Sequence, residues 1–308
     1  NDVDDGDVNM GDLAVTGTIA LTTQGTGQAT VENTSAIDFA TSTSGGRITA
    51  TARGAITQSG AITTGSESNW TAQSSDGNTD YDITLENASN NFVGNLKVTA
   101  ANVSIKDTGT TTISATNVSG NYSLTTTGGV TDNGAINIEG TTTISSPGSN
   151  IALSDTANAK LNDFTGAVSV EGANVTLVDA NSIVLGTADV TGTYAVTAVD
   201  GNITDTGTLT VAGTTTLTTS ANNATITLDT ATNAFTGAVT ITTNDDSGTD
   251  ADVVIDGGTT ALDIAASTID GDLTLTSGNA SGITDSGTVT VGGNLIATTD
   301  ANNGVINM

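Results

Sequence analysis

The sequence has 308 residues, with 33 acidic and 5 basic side chains, no histidine and a formal net charge of −28. So few cations cannot neutralise a phosphate backbone, which excludes nucleic-acid binding. Cysteine is absent, which excludes disulfide scaffolds and thiolate metal sites, and no apolar run approaches the ~20 residues of a membrane-spanning helix.

The predicted elements are short strands, and they repeat. Only 3% of residues are aromatic, too few to fill a wide core. Yet 35% are hydrophobic and fall in short alternating runs, which separates this chain from a disordered polyanion. An apolar-x-apolar pair opens the chain at Val8/Met10 and returns at Ile83/Leu85, Ile151/Leu153, Ile226/Leu228 and Ile306/Met308. A strand-turn motif reads Ile56-Thr-Gln-Ser-Gly60, then Val130-Thr-Asp-Asn-Gly134, Ile203-Thr-Asp-Thr-Gly207 and Ile283-Thr-Asp-Ser-Gly287. A third motif is Asn90-Asn-Phe92-Val-Gly94, Asn162-Asp-Phe164-Thr-Gly166 and Asn233-Ala-Phe235-Thr-Gly237. Each copy precedes an alternating strand: Leu96/Val98, Val168/Val170 and Val239/Ile241. Residues 208–276 resolve further into seven period-two segments bounded by Gly, Asn, Asp and Ser, with no helical period between them.

Three markers at one period predict an all-β repeat protein with units of about 75 residues. The expected fold is a parallel β-helix, or β-solenoid, continuous over 1–308, with units 11–85, 86–153, 154–228 and 229–308. Tandem β-sandwich repeats are the alternative, but sandwiches bury larger aromatics than this sequence supplies. At about 19 residues per coil, a unit holds about four coils and rises ~19 Å.

Runs such as Gly207-Thr-Leu-Thr-Val-Ala-Gly-Thr-Thr-Thr-Leu-Thr-Thr219 and Gly287-Thr-Val-Thr-Val-Gly-Gly-Asn-Leu295 resemble the filamentous-haemagglutinin-type repeats of large bacterial surface adhesins. The resemblance is one of texture and covers essentially the whole chain. It implies a right-handed parallel β-helix, in keeping with general crossover chirality. It also implies secretion by a two-partner or autotransporter route and display at the cell surface. The Asn-Pro motifs of the secretion domain in those families do not occur here. The absence of cysteine fits passage across a bacterial envelope in an unfolded state.

The function expected on this basis is that of a structural shaft, a stiff spacer in a secreted adhesin or biofilm matrix protein. Its partners would be neighbouring repeats or copies of itself, with host or matrix glycans or proteins engaged through regions outside this chain. A self-assembling extracellular filament subunit, with or without calcium dependence, is the second reading, motivated by the matching phase of Val8/Met10 and Ile306/Met308. A polysaccharide-acting β-helix enzyme is the remote third. Without histidine or cysteine, paired carboxylates are the main catalytic resource left, and no break in the repeat marks a groove for them, so no enzyme is expected.

Two acidic clusters are candidate calcium ligands: Asp245, Asp246, Asp250, Asp252 and Asp256, and Asp2, Asp4, Asp5 and Asp7. Hard cations take several carboxylate and carbonyl oxygens. The competing reading is a solvated acidic loop, because neither cluster follows the spacing of a known calcium loop. Asp132, Asp205 and Asp285 recur in phase and read as Asx turns before glycine. Trp70, Tyr81, Tyr122 and Tyr194 read as residues packed beneath loops, without a common phase. Threonine runs such as Thr141-Thr-Thr143 and Thr214-Thr-Thr216 read as ordinary exposed strand faces.

Overall fold

The structure is a computed structural model that describes residues 5–154, 161–244, 250–300 and 303–308. The described residues form an all-β, parallel β-solenoid of about 14 turns in four repeats. No helix occurs among them, so none is long and apolar enough to cross a membrane. By compactness they fall into two units, one of residues 5–149 and one of 150–154 with 161–308.

Strands form because alternation sends one set of side chains inward and the other to solvent. Ile48–Ala52 buries Ile48, Ala50 and Ala52 and turns Thr49 and Thr51 outward. Parallel register then stacks like positions from turn to turn. In the first unit Val31, Ala50, Trp70 and Val98 form one inward column. Ala50 and Val98 leave room for the indole between them, which is how a narrow core admits tryptophan. Phe39 and Phe92 meet that indole edge-on, with ring centroids 5.5 and 5.9 Å away. In the second unit Leu177, Val196, Leu217 and Ile241 form the equivalent column.

The corners are equally restrictive. A Cβ on Gly65 would lie 1.9 Å from the Gly45 carbonyl oxygen, and one on Gly45 would lie 2.3 Å from that of Gly25. Successive turns approach so closely here that only hydrogen fits.

Turn counting corrects the expectation of four coils per unit. In the first compact unit, the long strands Ala29–Asn33, Ile48–Ala52, Ser68–Ala72 and Asn95–Ala100 pair in order in one sheet. The next long strands, Val103–Asp107, Tyr122–Thr126 and Thr142–Ser145, pair in the other sheet. Three full turns separate the first of these strands from the fourth, and the fifth follows half a turn later. The second compact unit behaves alike. Val175–Asp179, Tyr194–Ala198, Thr215–Thr219 and Val239–Thr242 share one sheet. Val253–Asp256, Leu273–Ser277 and Leu295–Thr299 share the other.

A repeat therefore spans three and a half turns and rises ~17 Å at the parallel strand spacing. The estimate of four failed because turns differ in length. Ala29 pairs with Ile48, Ile48 with Ser68, and Ser68 with Leu96. The last interval is lengthened by a side loop that Gln73 and Asp80 close with an antiparallel bridge.

Candidate functional site

The acidic candidates among the described residues do not converge on a common point. Asp2, Asp4, Asp245 and Asp246 lie outside the described residues. Asp5 Oδ1 accepts the Thr26 amide at 2.6 Å, and Asp7 Oδ1 accepts the Gln28 amide at 2.7 Å. Each acid thus caps the turn that follows it. Asp252 Oδ1 likewise accepts the Asp272 amide at 2.8 Å, and Asp272 Oδ1 accepts the Asn294 amide at 2.6 Å. Asparagines make the same ladder elsewhere, as where Asn102 Oδ1 accepts from the Asn121 amide and Asn121 Oδ1 from the Thr141 amide. Asp256 caps the Gly258 amide at 2.7 Å. With its amide oriented to suit its surroundings, Asn223 donates to both oxygens of Asp250 at 2.6 and 3.0 Å. Strand rise puts Asp252 and Asp256 ~13 Å apart, beyond any shared ion with ligands near 2.4 Å. No three acidic residues among those described gather closely enough to hold a metal.

Asp205 corrects the reading of an Asx turn within its own motif. It is buried, Oδ2 accepts the Asn233 side-chain amide at 2.7 Å, and Oδ1 accepts the Asp229 backbone amide at 3.1 Å. The strand-turn motif and the Asn-x-Phe motif are therefore partners across a turn. In the first repeat Gln58 replaces the aspartate. It donates through Nε2 to Asn90 Oδ1 at 2.9 Å and accepts from Asn90 Nδ2 at 2.8 Å. Asn90, Asn162 and Asn233 are all buried.

Three further buried acids, Asp107, Asp179 and Asp270, were not singled out from the sequence. Asp107 accepts the Phe92 amide at 3.0 Å and the Thr111 hydroxyl at 2.8 Å. Asp179 accepts the Phe164 amide at 2.9 Å and the Asn181 amide at 2.7 Å. Burial pushes the Asp179 carboxyl up to about 6; the two amide bonds oppose that shift and the nearby Asp163 charge adds to it. The available signal was a spacing of 72 residues between Asp107 and Asp179.

The aromatic residues also depart from expectation. Trp70, Tyr122 and Tyr194 are buried in strands of the solenoid core. Tyr122 and Tyr194 do share a phase, because each opens the second long strand of its repeat, where Ile48 and Leu273 stand in the others. Their phenols are raised above the ordinary range by burial, and neither hydroxyl has a partner. No sugar-stacking platform is formed by these three rings.

An open groove of about 460 Å³ runs along the glycine corner, lined by Thr26, Gln28, Gly45, Arg47, Gly65 and Glu67 among others. Its charges are paired internally. Glu67 receives Arg47 at 3.7 Å and Lys97 at 3.1 Å.

Four stretches of the chain, 26–99, 100–171, 172–242 and 250–308, match a family described as repeats of unknown function (DUF5649). Each match begins three residues before the first long strand of a three-and-a-half-turn repeat, at Ala29, Val103, Val175 and Val253. The family frame and the alternation between sheets thus coincide. No curated protein and no solved structure matches the chain. With these four matches covering nearly all of its length, the chain belongs to the DUF5649 repeat family.

Proposed function

We propose that this chain is a shaft segment of a secreted, cell-surface adhesin or biofilm matrix protein, acting as a stiff spacer between an anchor and a binding region elsewhere. The observation that carries this reading is the recurrence, within each compact unit, of one repeat with inward columns and inter-turn ladders. Binding and catalytic sites normally break such local regularity, and spacers have no need to. Stability in stacked repeats accumulates through nearest-neighbour contacts, which suits a load-bearing element. The net charge of −28 supplies mutual repulsion that keeps neighbouring segments apart and hydrated.

Antibodies raised against the chain should label intact, unpermeabilised cells of its source. Labelling only after lysis would overturn the surface assignment. Arrays of glycans and matrix proteins should give no saturable binding to the purified chain at micromolar concentration. Saturable binding to one of them would replace the spacer with a receptor-binding module.

A further inference from the structure

We propose that a polar residue at the end of the first long strand of each repeat, or in the turn just after it, is a latch for the preceding repeat, so that each repeat is completed by its successor. The need arises at the Asn-x-Phe corner, where the chain passes from one sheet to the other. Phe92 pairs with Thr64 on the preceding turn. The strand of the following turn, Thr111–Ile113, pairs with Asn95 and Leu96 rather than with Phe92. The Phe92 amide, in a residue 1% exposed, would be left without a ladder partner, and a buried unpaired amide is among the most destabilising features a fold can carry. Asp107, the last residue of Val103–Asp107, supplies the acceptor from the next repeat.

The same solution recurs with different chemistry. Asp179, the last residue of Val175–Asp179, accepts the Phe164 amide across the next junction. At the third junction Asp256 closes the strand but caps Gly258, and the Thr260 hydroxyl, four residues further on, accepts the Phe235 amide at 3.2 Å. In the first matched repeat Asn33, the last residue of Ala29–Asn33, accepts the Val15 amide at 2.9 Å and donates to the Val15 carbonyl at 3.0 Å. The acceptor is carboxylate, carboxamide or hydroxyl, but in all four cases it comes from later in the chain and meets a backbone amide of the turn before it. What recurs is the hydrogen-bonding role and not the residue type. The latch sits at the point where strands change sheet, so it also fixes where one repeat ends and the next begins.

Amide hydrogen exchange on the full chain tests this. Asp107→Ala should lower protection at the Phe92 amide by about tenfold to a hundredfold, while Phe164 and Phe235 keep theirs. Thr260→Ala should do the same to Phe235 alone, and it removes so little volume that folding is not at stake. Asp107→Asn, built on Asn33, which also closes its strand and accepts a backbone amide through Oδ1, should hold Phe92 protection within about threefold of the parent. Unchanged protection at Phe235 in Thr260→Ala would overturn the latch. So would a loss spread equally over all three phenylalanines, which would mean uniform destabilisation with no role for the junction.

Discussion

Replacing Asp179 with asparagine tests how the core handles a buried charge. Asp179 is 0% exposed and its carboxyl is raised from 3.8 to about 6, chiefly by burial. In the unfolded chain the group loses its proton near 3.8, whereas in the folded chain it holds that proton to about pH 6. Between those values the folded state binds more protons, so its stability falls as pH rises. The contribution is fully present below about pH 4 and is lost as pH passes through 6. The pKa difference converts to ~3 kcal/mol, an order-of-magnitude figure for a buried site. Asparagine does not titrate, and the other carboxylates are common to both proteins. The stability of the parent relative to Asp179→Asn should therefore drop by ~3 kcal/mol from pH 4 to pH 7 in urea melts. A carbon-13 titration of the Asp179 carboxyl should show a midpoint near 6. A midpoint in the ordinary carboxylate range, or a parent–variant difference that does not change with pH, would refute the reasoning.

Tyr122→Phe and Tyr194→Phe each remove a buried hydroxyl without a partner and should raise stability by about 1 kcal/mol, read as a higher urea midpoint. Trp70→Ala empties the column between Ala50 and Val98 and strips two edge-on ring contacts. It should cost about 3–5 kcal/mol, with lost exchange protection centred on Phe39 and Phe92. Gly65→Ala drives a methyl into the Gly45 carbonyl and should cost at least the ~1–3 kcal/mol of ordinary overpacking, seen as a lowered melting temperature. Calcium should leave the melting temperature unchanged. Binding at a hundred times its Kd would add about 2.7 kcal/mol, and such a shift would show that the acidic corners are ligands.

The strands and the repeat were legible because a solenoid core imposes one demand on every turn. Inward positions such as Val31, Ala50, Trp70 and Val98 must share a register, and that demand writes the period-two runs directly into the sequence. The Asn-x-Phe and strand-turn motifs were legible as markers, but their partnership through Asp205 and Asn233 was not. The two residues lie 28 positions apart and meet only because a turn brings them back. Asp107 and Asp179 were hidden for a related reason. Their role passes to Asn33 and Thr260 elsewhere, so a search for one residue type finds half the series.

The half turn was the feature least accessible to sequence reading, and the physics explains why. The long strands of one repeat and the next have the same pattern, since both sheets bury one face against the same narrow core. Nothing in Val103–Asp107 distinguishes it in kind from Ala29–Asn33, although they lie in different sheets. Only the count of turns separates them, and unequal turn lengths defeat a count made from an average. The arrangement has a directional consequence. With an odd number of half turns per repeat, one added or lost repeat moves every following strand to the other sheet, whereas two restore it. A surface feature placed at a fixed repeat position therefore faces alternate sides along each unit. That alternation suits a spacer, whose neighbours can approach from either side, better than a receptor-binding face, which gains by stacking its contacts on one.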